Sequence, residues 1–515
     1  MAVDPAVTRA ARWPREMLGA LAALAIAIAV TAAVAAGPRS VLLFRDGDSL
    51  VTTLVARSIA VGQPQDWAMS TVLFLPESAL VVLLSLLGLG IAGTLVTAAI
   101  VTLLALYGAL RLAAGAAGAE RAPIAGALLA LSGVGLLAIT ESSPSRDALE
   151  PASLLLTTTY YSATVIASVV AVGLVRRALD RPGRSGPAWV LAAVGAASVL
   201  TNPLFAAWAV VPVVAVLAVV AWRGGTSRRR TAVWLIAALV GGSVAGLVLR
   251  LPLAGMIANT GAGYADPSRW LESAGYYAFL LGERASTPVG ALGVTLGFVL
   301  WVWCVWASVL LVRRGDVGAA IVAACGWVMP VIVVVGAVVL GTHAARYLQP
   351  IGFAPVLGLV VLPALLPHRT ARPLRLPVLA GATALALLLA SAVGTPRLAS
   401  AANAPDADLD CVVEWTDAAS RTGAGQFWTV RPAKAHLDDP RSLVQVDHEL
   451  RGYAWLVNRD DFRVGNVSFL VIDDQSVPFA LPGGASLDDA ELIDCGRYTI
   501  ADFGERRLTL GPQRS

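Results

Sequence analysis

Long apolar segments alternate with short polar segments over the first three quarters of the chain. The apolar segments are roughly 20 residues long, which is the length that an α-helix needs to cross the hydrocarbon core of a bilayer. This pattern predicts about 11 transmembrane helices. We expect them at residues 17–36, 93–112, 122–140, 158–176, 188–202, 204–222, 232–250, 290–312, 318–341, 350–367 and 376–394.

The apolar segment at residues 78–92 does not fit this series. It is short for a membrane span, and it follows Pro76 and Glu77. A span here would also invert the orientation of every later helix. We expect a helix that lies in the outer interface or packs on the helical bundle.

A different pattern occurs between the first predicted span and this segment. From Leu50 to Val61 the apolar residues are spaced for one face of an amphipathic helix. Asp46 and Asp48 lie at its start, where a carboxylate can cap the free N–H groups. Capping accounts for one of the two. Two Asp residues beside Arg45 exceed what a cap requires, and such a pair can deprotonate a hydroxyl or hold a divalent ion.

Charged residues reach ordinary density only after residue 394. The whole chain is 57% hydrophobic and 14% charged, whereas soluble domains have about 25% charged residues. The sequence therefore predicts a polytopic α-helical membrane module at residues 1–394 and a soluble α/β domain at residues 395–515. Two His residues in this domain, His436 and His448, lack metal-ligand spacing.

Basic residues form short clusters between the predicted spans, and such clusters are normally cytoplasmic. This places the N-terminus in the cytoplasm, and the soluble domain and the segments 37–92, 141–157, 251–289 and 342–349 outside. The net charge of +4 is therefore an orientation signal and does not indicate nucleic-acid binding. The clusters contain Arg9, Arg12, Arg15, Arg111, Arg121, Arg176, Arg177, Arg181, Arg184, Arg223, Arg228, Arg229, Arg230, Arg313, Arg314, Arg369, Arg372 and Arg375.

The Ala-, Val-, Gly- and Arg-rich, Lys-poor composition is typical of a high-GC bacterium. We therefore expect a multi-pass protein of a bacterial plasma membrane. Residues 33–36 resemble a signal-peptide cleavage site, but the apolar stretch before them is long for a signal peptide. We expect an uncleaved first span.

Cysteine usage agrees with this orientation. Cys304 and Cys325 fall within predicted spans, where a thiol acts as a small apolar side chain. Cys411 and Cys495 lie near the two ends of the soluble domain, and an external domain can keep a disulfide between them. The alternative is two free buried thiols.

Three further external segments contain polar residues that a simple membrane anchor does not need. The segment at 141–157 offers Asp147 and Glu150, either as part of a solvated loop or as a second acidic group. The segment at 251–289 combines aromatic and sparse charged residues, which suits an interfacial helix or a lid over a sugar or lipid head group. Its candidates are Tyr276, Tyr277 and Glu283, and the outward-lying Arg250 and Arg346 suit lipid head groups or a phosphate.

In the order and placement of these features, residues 17–394 resemble the GT-C superfamily. Its members are integral membrane glycosyltransferases that take sugars from polyprenyl-phosphate or polyprenyl-diphosphate carriers outside the cytoplasm. The chain departs from the family pattern in having Asp-Gly-Asp instead of adjacent carboxylates and no WWD-like motif. The resemblance rests on the acidic pair before a helix, Pro76, the second acidic segment, the Thr201-Asn202-Pro203-Leu204 break, the Arg346-Tyr347-Leu348-Gln349-Pro350 segment and the final soluble domain.

The resemblance implies Asp48 or Asp46 as the catalytic base and Asp147 or Glu150 as the second acidic position. Arg346 and Tyr347 would lie near the carrier phosphate. Arg250 is a further candidate for that phosphate, and Tyr276, Tyr277 and Glu283 are candidates for a lid or acceptor site. Asp46 and Asp48 are also the candidate ligands for a divalent cation, Mg²⁺ or Mn²⁺.

The expected reaction is inverting transfer of a hexosyl or pentosyl group to a cell-envelope glycan, lipid or protein. Two other classes stay open. A lipid-linked glycan transporter or flippase would have ionisable residues within its spans and an internal repeat. A non-catalytic scaffold for envelope assembly would tolerate replacement of Asp46, Asp48 and Arg346.

Overall fold

The computed structural model describes residues 12–115, 123–181, 183, 185–259, 262–366 and 376–514. Some of the residues that predicted the orientation lie outside this part of the chain. They are Arg9, Arg121, Arg184, Arg369, Arg372 and Arg375.

Helices dominate the first 400 residues, and strands occur mainly after them. The α-helices are α1 (Arg12–Ala35), α2 (Ser40–Phe44), α3 (Val51–Ala60), α4 (Leu75–Ser85), α5 (Gly90–Ala113), α6 (Pro123–Ile139), α7 (Ser162–Asp180), α8 (Gly186–Thr201), α9 (Val211–Arg223), α10 (Thr226–Leu249), α11 (Trp270–Ala285), α12 (Pro288–Arg313), α13 (Val317–Val339), α14 (Pro350–Phe353), α15 (Leu357–Leu365), α16 (Leu376–Leu389), α17 (Thr395–Ala402), α18 (Ala407–Ala419) and α19 (Phe427–His436).

Short 3₁₀ and π-helical turns connect many of these helices. The 3₁₀ turns are Ser153–Leu156, Leu251–Met256, Ala262–Tyr264, Pro267–Arg269, Ala345–Leu348, Pro440–Ser442, Arg459–Val464, Pro482–Gly484 and Leu487–Asp489, and the π-helical turns are Ala206–Val210 and Ala390–Gly394. The strands are β1 (Trp67–Ala68), β2 (Gly423–Gln426), β3 (Leu443–Val446), β4 (Arg451–Tyr453), β5 (Val457–Asn458), β6 (Asn466–Val467), β7 (Phe469–Ile472), β8 (Glu491–Cys495), β9 (Tyr498–Asp502), β10 (Leu508–Thr509) and β11 (Gly511–Arg514).

Nine helical segments within the described residues are long and apolar enough to cross a membrane. The other two predicted spans correspond to the shorter helices α6 and α8, of 17 and 16 residues. The protein therefore has the helices of a multi-pass membrane protein. The nine segments are Trp13–Ala35, Gly90–Ala113, Ser162–Asp180, Ala206–Arg223, Thr226–Leu249, Pro288–Arg313, Val317–Val339, Ala345–Leu365 and Leu376–Ala402.

The chain folds into two compact units, each made from three separate segments. The first unit comprises Met1–Ser40, Val96–Arg250 and Gly263–Ala401, and the second comprises Val41–Leu95, Leu251–Ala262 and Ala402–Ser515. The first predicted external segment therefore belongs largely to the same unit as the C-terminal residues.

Small residues let two helices of the first unit approach closely. A Cβ atom on Gly242 of α10 would lie 2.1 Å from the carbonyl oxygen of Ala192 in α8, and one on Gly246 would lie 2.4 Å from that of Ala196. Only glycine fits at these positions, as in many membrane helix pairs. This packing fixes the end of α10, where Arg250 follows.

A seven-stranded mixed sheet forms the centre of the second unit, in the order β11-β4-β3-β2-β7-β9-β8. Strand β2 is parallel to both β3 and β7, whereas β9 is antiparallel to β7 and β8. Leu443 and Val444 of β3 enter different apolar clusters. This is expected because successive side chains of a strand point to opposite faces.

The predicted disulfide is confirmed, and it links helix α18 to strand β8. Cys411 and Cys495 are bonded, with their Cα atoms 5.6 Å apart and a sequence separation of 84 residues. Cys304 and Cys325 are buried free thiols.

Helix α4 occupies most of the apolar segment that did not fit the series of spans. It has 11 residues, which corresponds to a length of about 16 Å and is too short for a hydrocarbon core of about 30 Å. Beyond its end, Gly88 and Gly90 have left-handed backbone conformations, each with φ of 68°. This turn separates α4 from α5, so the segment is not one continuous span.

Candidate functional site

The Asp46-Gly47-Asp48 turn lies between α2 and α3 in the second unit. Asp46 is buried, and its carboxylate accepts a hydrogen bond of 3.2 Å from the N–H of Ser49. The hydroxyl of Ser49 also donates to the carbonyl oxygen of Leu42. Asp46 thus stabilises the turn. Asp48 is less buried than Asp46, with an intermediate exposure. The N-cap residue of α3 is Leu50, without a side-chain cap hydrogen bond, so Asp46 closes the turn before the helix and, contrary to expectation, does not cap the helix.

Gly47 brings this turn against helix α19, which lies far along the chain. A Cβ atom at Gly47 would be 3.0 Å from Cε3 of Trp428 and 3.4 Å from Cε1 of Phe427. The first distance is tighter than a normal contact, so a side chain here would displace the Trp428 ring. The glycine between the two Asp residues is therefore needed for the close approach.

Arg431 of α19 is fully buried beside this turn. Its guanidinium carbon lies 4.5 Å from the centre of the Phe427 ring, and none of its three side-chain nitrogens donates to an atom of the described residues. Burial lowers the pKa of Arg431 to about 10, against the opposing effect of the negative charges of Asp48 and Asp46. A guanidinium with this pKa is still charged at neutral pH.

Sequence reasoning missed Arg431, although its spacing was visible. Phe427, Val430, Arg431 and Lys434 recur at i, i+3, i+4 and i+7, which is one face of a helix. All four side chains are buried. A basic residue on an apolar helical face needs a nearby negative charge, and this requirement could have singled out Arg431.

A buried polar network fastens the first predicted external segment to the C-terminal residues. Lys434 Nζ lies 2.8 Å from Asp461 Oδ2, and Gln63 Nε2 donates to Asp461 Oδ1 at 2.7 Å. Asn458 donates to Ser58 Oγ at 3.1 Å. These contacts, with the antiparallel pairing of β1 and β5, hold the Asp-Gly-Asp turn in a fixed position on the sheet domain.

Arg45, which precedes the turn, forms an ion pair with Asp406. The distance from Arg45 Nε to Asp406 Oδ2 is 3.1 Å, and Arg497 Nη1 lies 2.7 Å from Asp406 Oδ1. Burial alone would raise the pKa of Asp406, but hydrogen bonds from Arg497 and the charges of Arg45 and Arg497 lower it overall. The ion pair therefore adds a second attachment for the segment around the turn.

The second acidic segment, in the first unit, contains two buried glutamates that stabilise it internally. Glu141 accepts hydrogen bonds from the N–H groups of Ala152 and Ser153, at 2.8 and 2.6 Å. Glu150 accepts from those of Ser142 and Ser143, at 3.1 and 2.8 Å. These carboxylates hold the loop in shape.

Two arginines balance these buried carboxylates. Arg284 lies 3.5 Å from Glu141, and Arg39 lies 3.6 Å from Glu150. Burial raises the pKa of Glu141, against the charges of Arg284 and Arg39. Glu141 and Glu150 are thus both charge-compensated structural groups, and Glu150 is the one that the sequence had offered as a catalytic position.

Asp147, by contrast, is exposed and faces a group of the predicted residues. Arg346 Nη1 is 4.0 Å from Asp147 Oδ1, and the Arg346 guanidinium lies 5.7 Å from the centre of the Tyr347 ring. Burial raises the pKa of Tyr276, and the negative charge of Asp147 adds to this effect. We call Asp147, Tyr276, Tyr277, Arg346 and Tyr347 the tyrosine cluster.

Hydrogen bonds and ring contacts fix the geometry of the tyrosine cluster. Tyr276 and Tyr277 are in edge contact, with ring centres 5.1 Å apart. The Tyr277 hydroxyl lies 2.8 Å from Thr342 Oγ1, and the Tyr276 ring is 5.2 Å from the His343 ring. An arginine beside several aromatic rings is suited to bind a phosphate or a sugar.

Two other predicted site residues lie apart from this cluster. Glu283 is exposed near the end of α11. Arg250 is buried and donates to the carbonyl oxygens of Val199 and Leu200, at 3.4 and 2.7 Å. These are among the last carbonyls of α8, where a cation is favourable.

The donor set at the Asp-Gly-Asp turn does not fit a divalent cation. Mg²⁺ is often held by one or two carboxylates together with substrate phosphate, so the number of carboxylates alone does not exclude it. However, the guanidinium of Arg431 already places a positive charge beside Asp46 and Asp48, and like charges repel. Among the described residues, no three His, Cys, Asp or Glu side chains gather around a common point.

An apolar crevice of about 200 Å³ opens within the first unit beside the Glu141–Arg284 pair. Among the side chains that line it are Leu281, Phe298 and Trp301. This volume is smaller than the roughly 300–1,000 Å³ of pockets for whole drug-sized ligands. It suits part of a hydrocarbon chain.

The chain matches no protein-family model, and no curated protein is significantly similar to it.

Proposed function

We propose that this protein is a membrane glycosyltransferase of the GT-C type. It transfers a hexosyl or pentosyl group from a polyprenyl-phosphate carrier to a cell-envelope glycan, lipid or protein. The observation that carries the proposal is the Asp46-Gly47-Asp48 turn, fixed against the buried Arg431 in a protein with the helices of a multi-pass membrane protein.

Asp48 is the proposed base. In a single displacement, the acceptor hydroxyl oxygen attacks the anomeric carbon while the bond from that carbon to the carrier phosphate breaks. The proton of the hydroxyl passes to the Asp48 carboxylate, and the electron pair of the broken bond stays on the phosphate. Attack from the face opposite the leaving group inverts the anomeric carbon. Asp46 stabilises the turn through Ser49.

The tyrosine cluster is the proposed site for the carrier phosphate. Arg346 can bind a phosphate through two parallel N–H groups, and its ion pair with Asp147 is long, at 4.0 Å. Tyr276 offers a half-buried ring for a sugar or lipid head group, and the buried Tyr277 packs against that ring.

The apolar crevice supports a lipid-borne substrate, since its lining is almost wholly hydrophobic. Part of the carrier chain would replace lipid there. The Arg284 and Glu141 side chains at its edge balance each other's charge, so the crevice favours an uncharged chain.

We propose a bacterial plasma membrane location, with the N-terminus in the cytoplasm and the C-terminal residues outside it. The Cys411–Cys495 bond supports this side for the second unit, because disulfides persist in oxidising compartments. The basic clusters on the cytoplasmic side follow the usual charge bias of membrane proteins.

The test is a transfer assay with purified protein, a panel of polyprenyl-phosphate sugars and envelope extracts as acceptors. We expect labelled sugar to move to the acceptor with at least one donor. No transfer across the panel would contradict the proposal. Movement of lipid-linked sugar across vesicle membranes in the same experiment would then indicate a flippase, and neither activity would indicate a scaffold.

A further inference from the structure

A buried arginine without hydrogen bonds is costly to a fold. Moving a guanidinium out of water is unfavourable unless a nearby negative charge compensates. Arg431 is fully buried, and its three side-chain nitrogens have no hydrogen-bond partner among the described residues. The ring of Phe427 at 4.5 Å supplies a partial compensation.

The rest of the compensation comes from the Asp-Gly-Asp turn. Gly47, between the two carboxylates, lies against the same Phe427 ring on which Arg431 stacks. Asp48 and Asp46 are the two charged groups that act on Arg431. The buried Asp46 and the half-buried Asp48 therefore lie beside the buried guanidinium.

Other charged groups on the elements packed against α19 are engaged elsewhere. Arg57 of α3 donates to the carbonyl oxygen of Leu437. Asp417 of α18 accepts from the N–H of Asp438, and Asp473 after β7 accepts from the hydroxyl of Thr429. Lys434, one turn after Arg431, pairs with Asp461 at 2.8 Å.

We infer that Arg431 is the internal counter-cation of the Asp46–Asp48 pair, a positioning residue that keeps Asp48 ionised as a base without a divalent metal. This inference rests on the proposed function for the role of Asp48, but the charge relationship itself is independent of it. Two carboxylates in one site disfavour each other's ionised form, and a cation beside them favours it.

The first experiment measures protonation without using activity. A water-soluble carbodiimide modifies protonated carboxyl groups, and peptide mass spectrometry quantifies modification at Asp48 and at the exposed Asp474 across a pH series. In the wild-type protein we expect modification of Asp48 to fall to half at a lower pH than that of Asp474. Equal or reversed midpoints would overturn the inference, and this comparison needs no variant.

The same labelling is then repeated on Arg431→Gln and Arg431→Lys. In Arg431→Gln we expect the Asp48 midpoint to rise by about one pH unit or more, whereas Arg431→Lys should retain the wild-type midpoint. Arg421→Gln is the matched control, because Arg421 pairs with Asp502 at 2.6 Å. An unchanged midpoint in Arg431→Gln would overturn the inference.

The second experiment is the pH profile of sugar transfer. We expect the acidic limb of Arg431→Gln to move to higher pH, and a chelator to leave the wild-type rate unchanged. An equal fall in the transfer rate of Arg431→Gln at every pH would indicate a purely structural role for Arg431. A loss of wild-type transfer in the presence of a chelator, restored by Mg²⁺, would indicate a bound metal. Either result would overturn the inference. If the wild-type protein transfers no sugar, the proposed function fails while the labelling experiment still decides the charge relationship.

Discussion

Lys434 Nζ and Asp461 Oδ2 lie 2.8 Å apart in the second unit, and both side chains are almost wholly buried. Lys434 also donates to the carbonyl oxygens of Pro440 and Leu443, at 2.6 and 2.9 Å. Asp461 in turn accepts from Gln63. One ion pair thus links α19, which bears Arg431, to the segment that follows the Asp-Gly-Asp turn.

Replacing Lys434 by Met should strongly destabilise the second unit. The substitution leaves the Asp461 carboxylate buried without its cation, and breaking a buried pair costs about 3–5 kcal/mol in unfolding free energy. Thermal unfolding in detergent measures the effect. The control is Arg441→Met, which breaks an exposed pair with Asp439 and should cost less than about 1 kcal/mol. Equal losses of unfolding free energy in the two variants would contradict the conclusion that the buried Lys434–Asp461 pair matters more than an exposed pair.

Asp406→Asn should lower stability at neutral pH and have little effect in acid. The pKa of Asp406 in the folded protein is below its usual value of 3.8, so its contribution is present above that value and is lost as the pH falls through the folded pKa. Melting temperatures of wild type and variant between about pH 7 and pH 3 test this. A difference that stays constant over this range would show that Asp406 does not stabilise as a carboxylate.

Gly47→Ala should disturb the turn. The new methyl group would meet the Trp428 ring at 3.0 Å, and overpacking of this kind costs about 1–3 kcal/mol. Gly255→Ala in the same unit is the control, because a Cβ atom there meets nothing within 4 Å. Thermal unfolding should separate the two variants, and a neutral Gly47→Ala would mean that the turn does not pack as described.

Removal of the disulfide should destabilise the second unit without changing the free thiols. Cys495→Ser opens a loop of 84 residues, and loss of a native disulfide typically costs about 2–5 kcal/mol. Thermal unfolding and thiol labelling of the native protein measure the two effects. Cys304 and Cys325 are buried and should stay unlabelled, so labelling of wild-type Cys411 would contradict the bond.

Local patterns were enough to predict the apolar helices of the first 394 residues. Each predicted span falls on an apolar helix because bilayer length and hydropathy are properties of contiguous residues. The two cysteines were paired from their positions near the ends of one domain. The sequence also indicated that α4 is not a membrane span, because the apolar segment that contains it is short.

Long-range charge pairing was not predictable in this way. Arg431 and Asp48 are separated by several hundred residues, and only the packing of residues 41–95 with the C-terminal residues in one unit brings them together. Nor did the sequence distinguish Glu150 from Asp147. The two carboxylates of this loop differ in their surroundings, because Glu150 is buried and accepts hydrogen bonds from backbone N–H groups, whereas Asp147 is exposed.

The most direct measurement of the central claim is the transfer rate of Asp48→Asn with a polyprenyl-phosphate sugar. The amide cannot accept the proton of the acceptor hydroxyl as a carboxylate does, and general-base catalysis contributes about 10²–10⁴-fold to a rate. Asp474→Asn, at an exposed position of the same unit, is the matched control. We predict a loss of at least about 100-fold in a folded Asp48→Asn variant, and a wild-type rate in Asp474→Asn. Undiminished transfer by a folded Asp48→Asn variant would contradict the assignment of Asp48 as the base.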